Sequence, residues 1–330
     1  MNDLSSKSIA EITALCNELG LPQYKAREIF RFINQKLVEN INEITTLKKE
    51  ERSFFTISAI PPVKIEKGKT AEKALFTLND GSQIETVYMD YADERKSLCV
   101  SSQVGCPMGC KFCATGRMGF IRNLTAAEIL AQVYYFAKKE KISNLVFMGM
   151  GEPFLNYENV MKAIYILNDD LGLNIASRKI VISTIGLIPG IKKFTDETKQ
   201  IRLAWSLVAP TDELRKKLIG CKGLPTIADT IKALRDYQRK RKRRITIEYV
   251  LLKHINDSEQ NLRDFAKIAH KLDSHINLIP YNLSPASQFQ RVDPRFARDF
   301  LKSLGCNVTV RQSLGQEISA ACGQLCQISY

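Results

Sequence analysis

The 330-residue sequence contains no apolar run approaching the ~18–20 residues that a membrane helix requires, so no membrane partner is expected. Its first residues, Met1-Asn2-Asp3-Leu4-Ser5-Ser6-Lys7, lead into charged, amphipathic sequence without the uninterrupted apolar core of a secretory leader. A cytoplasmic location is the expectation. Histidine is scarce: His254, His270 and His275 are the only three, and none lies near the densest group of cysteines. Compositional bias is missing too. Hydrophobic residues at 45% and charged residues at 25% exclude collagen, low-complexity polymers and a wholly disordered chain, and leave a globular protein of one large domain or one large plus one small.

What the chain does hold is positive charge and cysteine. Lys and Arg number 48 against 35 Asp and Glu, a net +13, which favours an anionic partner, and nucleic acid is the commonest of these. The excess is concentrated in Arg239-Lys240-Arg241-Lys242-Arg243-Arg244. A solvated helix end accounts for part of that run, but six cations in series repel one another and an anion relieves them. The nine cysteines are Cys16, Cys99, Cys106, Cys110, Cys113, Cys221, Cys306, Cys322 and Cys326. An odd total argues against a closed disulfide framework. Three of them within eight positions point to a metal.

Apolar spacing reads the first ~60 residues as helical, with Ile9, Ile12, Leu15 and Leu19 in one helix and Ala26, Ile29, Phe30 and Ile33 in a second. Pro61-Pro62 closes this unit. Alternating runs at 74–78 and 84–88 flank Asn79-Asp80-Gly81, a hairpin signal. From about residue 97, short apolar strands alternate with helical stretches. The strands are expected at 98–101, 145–150, 180–184, 203–207, 245–252, 276–281 and 308–311, and Thr125-Ala126-Ala127-Glu128 opens one helix as a capping box. Such alternation means a parallel α/β sheet, open or closed into a partial barrel, with its site at the carboxyl ends of the strands. The expected division is a helical accessory unit over 1–62, a β-hairpin linker over 63–96 and an α/β core over 97–330.

Cys106-Pro107-Met108-Gly109-Cys110-Lys111-Phe112-Cys113 follows the first core strand, and thiolates this close converge on a soft metal centre. Structural zinc wants four ligands, commonly in two paired knuckles; three from one loop suit an iron–sulfur cluster with one open iron, and spacing alone leaves both readings standing.

Cys-x3-Cys-x2-Cys with an aromatic before its last cysteine resembles the signature of radical S-adenosylmethionine (SAM) enzymes. Longer segments are similar to the RlmN/Cfr family of radical-SAM methyltransferases, which modify an adenine of 23S rRNA. They are 98–106, 119–125 (Gly-Phe-Ile-Arg-Asn-Leu-Thr), 147–153 (Phe-Met-Gly-Met-Gly-Glu-Pro), 277–282 and 320–325 (Ala-Ala-Cys-Gly-Gln-Leu). The resemblance implies a partial (β/α)6 TIM-like barrel with a small N-terminal helical accessory domain that helps to bind RNA. It implies a 4Fe-4S cluster on Cys106, Cys110 and Cys113, and two SAM per turnover, held by Gly151, Glu152, Ser183, Ser206, Leu207, Val208 and Asn282. One SAM methylates the Cys322 thiolate; the other yields a radical that takes a hydrogen from that S-methyl group. The methylene radical adds to the adenine, and Cys99 then attacks the Cys322 sulfur, releasing the methylated base and leaving a disulfide. Glu85 is implied as the base or hydrogen-bond anchor near the adenine.

The motifs look most like the C2-methylating branch. The C8-methylating branch, and a non-catalytic zinc and RNA-binding module, are the alternatives. The implied partners are 23S rRNA, with transfer RNA as a second substrate, and flavodoxin- or thioredoxin-like reductants; a monomer is expected. The basic run, with Arg117, Arg122 and Arg178, is expected to hold phosphates while the adenine enters the barrel mouth. Three segments depart from the family: Val208 stands where a histidine is usual, 218–225 replaces a Pro-x-Asn segment, and Glu317-Ile318-Ser319 stands for Asp-Ile-Asp.

Overall fold

The computed structural model describes residues 1–284 and 287–326. Ten strands form one sheet whose order in space is their order in sequence: β1 (Pro62–Lys67), β2 (Ala71–Thr77), β3 (Gln83–Asp90), β4 (Lys96–Cys99), β5 (Asn144–Phe147), β6 (Ile180–Thr184), β7 (Arg202–Ser206), β8 (Ile245–Leu251), β9 (Ser274–Pro280) and β10 (Val308–Val310). Pairing is antiparallel from β1 to β4 and parallel from β4 to β10. The longer helices are α1 (Ile9–Glu18), α2 (Tyr24–Asn34), α3 (Ala126–Ala137), α4 (Tyr157–Leu167), α5 (Ile188–Thr195), α6 (Ile227–Arg241), α7 (Glu259–Ala269) and α8 (Pro294–Ser303).

The sheet is curved, and two residues show it. Cys99 ends β4 and Arg311 follows β10, six strand spacings away, or roughly 29 Å across a flat sheet at ~4.8 Å per strand. Both line one small cavity. The parallel strands therefore curl into a partial barrel, as the sequence implied, and bring all their carboxyl ends to one mouth.

Local signals form these elements as read. Thr125 and Glu128 make the reciprocal capping box at α3, and Ser8 with Glu11 makes another at α1. Asn79-Asp80-Gly81 turns β2 into β3, with Gly81 at φ +80° and the Leu78 N–H donating to the Ser82 carbonyl at 2.8 Å. The hairpin then pairs onward with β4, so the antiparallel strands continue the barrel sheet. The apolar positions of α1 and α2 join the same hydrophobic core as the barrel, and the Tyr134 hydroxyl of α3 donates to Asn34 of α2. Among the described residues no helix is long and apolar enough to cross a membrane.

The basic run lies elsewhere than expected. It ends α6 and leads into the amino end of β8, so it lies at the edge of the barrel opposite the mouth. There Arg239 pairs with Asp236, Lys240 with Asp196, and Arg244 with Asp273 at 3.0 Å. Arg178 likewise precedes β6. The run reads as cationic in one dimension, but acids before β7 and β9 share its edge. Of the expected phosphate cations, Arg117 follows the cysteine loop and bonds Ser284 at 2.9 Å, whereas Arg122 is held by Asp80 and Glu128.

Candidate active site

Two adjoining hollows open at the mouth. The larger, about 190 Å³, is lined by Cys106, Cys110, Cys113, Gly151, Glu152, Ser183, Ser206, Val208, Glu248 and Cys322, among others. The smaller, about 40 Å³, is lined by Cys99, Cys113, Met148, Arg311 and Cys322.

The cysteine loop is pinned from two directions. The Cys106 N–H donates to Gly119 at 2.8 Å, Lys111 N–H to Leu218 at 2.9 Å, and Gly220 N–H to Gly109 at 3.1 Å. Burial pushes the Cys106 thiol up to about 12 and the Cys110 and Cys113 thiols upward as well. Binding iron to them must therefore displace protons. Among the described residues, no three His, Cys, Asp or Glu side chains converge as the ligands of a single ion do. The three cysteines instead all line the cleft, which suits a cluster whose irons each take one sulfur. The donor set thus fits a 4Fe-4S cluster held by three cysteines.

The rest of the lining carries oxygen. After β5 the backbone turns sharply, and a Cβ on Gly149 would lie 2.8 Å from the Ser101 N–H and hydroxyl. Gly151, at φ +106°, has the Gln103 backbone equally near. Close approach of this kind admits only glycine, and it ends the strand at Phe147 rather than at 150 as the sequence suggested. Glu152, 4% exposed, accepts the Phe154 and Ile185 N–H groups at 3.1 and 2.9 Å. Burial nevertheless pushes its carboxyl up to about 7, so a cationic ligand in the cleft would favour its ionised form. Ser183 donates to Glu248 at 2.7 Å and lies 3.1 Å from the Ser206 hydroxyl. Arg311 approaches Glu248 at 3.5 Å and the Met148 sulfur at 3.0 Å. Its charge is favoured first by Cys322 and then by Glu248.

Cys322 lines both hollows; Cys99 lines the smaller, where burial pushes its thiol up to about 12. The segment bearing Cys322 is fastened beside the cysteine loop. Ala114 N–H donates to Gly323 at 2.8 Å, and the Thr115 hydroxyl donates to Leu325 at 2.6 Å.

A family model described as the radical SAM superfamily matches residues 100–266. Over 98% of its length the chain is 42% identical to ribosomal RNA large subunit methyltransferase N of Nitrosopumilus maritimus, covering 98% of that protein. It is also 42% identical to a protein of Dictyoglomus thermophilum described as a probable dual-specificity RNA methyltransferase RlmN, with 98% and 97% of the two chains covered. The crystal structure of a radical SAM methyltransferase from Sphaerobacter thermophilus superposes with a TM-score of 0.94 at 40% identity, covering 98% of this chain and 99% of that one. The chain belongs to the RlmN family of radical SAM methyltransferases.

As an RlmN-family enzyme it uses a 4Fe-4S cluster and SAM. Of the site residues that the resemblance implied, Leu207, Asn282 and Glu85 line neither hollow. Leu207 faces the core, and its backbone contributes instead: the carbonyl accepts from Arg215 at 3.1 Å. The Asn282 side chain is spent on the Cys322 carbonyl at 3.1 Å and on Gln316 at 2.5 Å, so it steadies the Cys322 segment and does not line the cleft. Glu85 lines neither hollow. Its carboxylate is buried, bonded to Lys73 at 3.1 Å and to the Cys326 N–H at 2.8 Å; burial pushes its pKa up and Lys73 opposes the shift. Sequence reasoning missed Glu248, Arg311 and Ser101. The Ser101 hydroxyl donates to the Glu85 carbonyl at 2.6 Å and accepts from Met150 at 2.9 Å, tying β3 to the glycine turn. For Ser101 the signal was available, since it lies within the 98–106 motif.

Proposed function

We propose that this enzyme methylates C2 of an adenine in 23S rRNA and accepts transfer RNA as a second substrate. The observation that carries the reading is the placement of Cys322 on both hollows, against the cluster cysteines on one side and Cys99 on the other. Carbon 2 of adenine offers no nucleophilic lone pair, so a polar methyl donor alone cannot alkylate it. The cluster and SAM, when bound, supply the radical chemistry that this carbon requires.

The chain's own residues then have defined tasks. Cys106, Cys110 and Cys113 hold the cluster, while Gly151, Glu152, Ser183, Ser206 and Val208 border SAM. The Cys322 thiol gives up its proton and accepts a methyl group. After the carbon is joined to the base and the C2 hydrogen has left as a proton, the Cys99 thiol loses its proton and its sulfur attacks the Cys322 sulfur. An S–S bond forms, the S–C bond breaks, and its electron pair takes up a proton to complete the methyl group of the product. That disulfide requires two electrons to reset, supplied by a flavodoxin- or thioredoxin-like reductant. Glu85 acts as the base or hydrogen-bond anchor near the adenine, and its bond to the Cys326 N–H ties it to the segment that carries Cys322. We further assign RNA contacts to the accessory unit at 1–62, and expect a monomer acting in the cytoplasm.

Anaerobic reconstitution with iron and sulfide, followed by incubation with SAM, a reductant and a 23S fragment, tests the reading. Mass spectrometry should find 2-methyladenosine and 5′-deoxyadenosine. An 8-methyladenosine product would overturn the assigned carbon, and absence of 5′-deoxyadenosine would overturn the chemistry.

A further inference from the structure

Behind the SAM cleft, the turn after β7 holds a conformation that valine resists. Val208 lies at φ +69°, in the left-handed region that β-branched residues rarely enter and that costs about 1–3 kcal/mol. It is also a cleft-lining residue. A strained backbone at a site persists only when its surroundings over-determine it, and here two fully buried side chains do so.

Arg215 belongs to the short helix Asp212–Leu218, and its guanidinium is spent on three backbone carbonyls. Nε donates to Leu207 at 3.1 Å, Nη2 to Ile185 at 3.0 Å and Nη1 to Pro225 at 2.9 Å. Its nearest carboxylate, Asp212, stands 3.9 Å away and is itself part-exposed. Burying a cation without a close counter-ion is expensive, which marks these three bonds as more than packing. From the other side Asn256, also fully buried, donates to the Val208 carbonyl at 2.8 Å and to the Val250 carbonyl at 2.7 Å, and accepts the Leu252 N–H at 2.8 Å. The Ile185 peptide is thus gripped at both ends, by Glu152 on its N–H and by Arg215 on its carbonyl. Within the turn, Leu207 N–H donates to Glu248 at 3.0 Å and Ala209 N–H to Leu207 at 2.8 Å. Among the described residues, only the Val208 N–H of the three has no protein acceptor.

We propose that Arg215 and Asn256 are positioning residues for SAM: they clamp the ends of β6, β7 and β8 and hold Val208 in its left-handed turn, so that its uncommitted N–H is presented to the bound cofactor. A backbone donor then serves at the position where the family resemblance leads one to expect a histidine. The inference rests on the reading that this cleft holds SAM.

The test is a double-mutant cycle on the reconstituted protein, with the SAM dissociation constant measured by equilibrium dialysis and RNA affinity measured in parallel. Arg215→Gln should weaken SAM at least tenfold and leave RNA affinity within twofold. Arg215→Lys, which keeps the charge but loses the three-carbonyl grip, should weaken SAM nearly as much. Glycine enters the left-handed region without cost. In the Val208→Gly background the Arg215→Gln loss should therefore shrink below threefold. Asn256→Ala, which removes no charge, should repeat the pattern and decides the matter if the Arg215 variants fail to fold. Equal SAM losses with and without the Val208→Gly change, or parallel losses of SAM and RNA affinity, overturn the proposal. A wild-type protein that binds no SAM instead overturns the reading of the cleft on which the proposal rests.

Discussion

At the amino edge of the barrel, Arg239, Lys240 and Arg244 meet Asp236, Asp196 and Asp273 in exposed pairs. At the carboxyl edge, Glu152, Glu248 and Arg215 are buried and Arg311 is half-buried, and they bond largely to backbone, hydroxyl or sulfur atoms. The first edge holds the densest charge of the sequence and the second holds the proposed site. Exposed pairs contribute about 0–1 kcal/mol each, because water and salt already screen them. Buried polar groups act in a low local dielectric, where a misplaced charge costs several kcal/mol. Charge density in a sequence is therefore a poor guide to a catalytic edge, and burial of charge is a better one.

Cys322→Ala makes the largest break in this comparison. Methylated adenine should fall below detection, at least 10³-fold, while SAM cleavage to 5′-deoxyadenosine continues, as mass spectrometry of both products will read. Cys99→Ala should instead leave RNA covalently joined to protein, seen as a shifted band that survives denaturation.

Glu152 gives the next effect, and its sign is opposite to that of a paired surface acid. Burial raises its folded-state pKa to about 7, above the ordinary 4.5 of a glutamate. Between these values the folded state holds the proton more tightly than the unfolded state, so stability is greatest below pH 4.5 and is lost as pH rises through 7. The loss is on the order of 3 kcal/mol at 1.36 kcal/mol per unit. Chemical denaturation of the metal-free protein should show Glu152→Gln gaining on wild type between about pH 5 and pH 8. A constant difference across that range would refute the assignment. Because an ammonium group favours the ionised carboxyl, SAM should also bind wild type more tightly at about pH 8 than at about pH 6.

Glu85→Gln comes third. A base or anchor of this kind contributes typically 10²–10⁴-fold, and amide hydrogen bonding to the base would recover part of it. A fall of at least tenfold in single-turnover methylation, with unchanged SAM cleavage, is expected. Equal falls in both would place Glu85 in the structure only.

The cysteine loop, the glycine turn and Cys322 were legible because each is a contiguous string whose spacing carries meaning. All seven parallel strands were legible from alternation. Glu248 was not: in Ile245-Thr246-Ile247-Glu248-Tyr249 it occupies the polar face of an alternating strand, which ordinarily means solvent. Only the curl of the sheet turns that face inward. Arg215 reads as one cation among several on a short amphipathic helix, Asp212–Leu218, and nothing local announces a fully buried guanidinium. The bonds of Asn282 to the Cys322 carbonyl and to Gln316 were not legible, because a strand end near the mouth does not specify which neighbours its amide reaches. The edge on which the basic run lies was in the sequence after all, since a helix end that leads into a strand must stand at that strand's amino terminus.

The smallest expected effect bears most directly on the two edges. Arg239, Lys240 and Arg244 replaced together by Gln should cost little stability, about 1–2 kcal/mol for three exposed pairs. Single-turnover methylation of a short hairpin substrate should be unchanged within twofold, because these residues stand at the far end of the strands from Cys322. Affinity for a long 23S fragment is the sharper measurement. Each phosphate contact contributes about 0.7–0.9 to the slope of log K against log salt. An unchanged slope confines RNA to the mouth and the accessory unit. A slope reduced by about 2 or more would mean that the RNA wraps to the amino edge. The two edges would then share one substrate, the one doing chemistry and the other holding the polymer, with the aspartates there as exchangeable placeholders for phosphate.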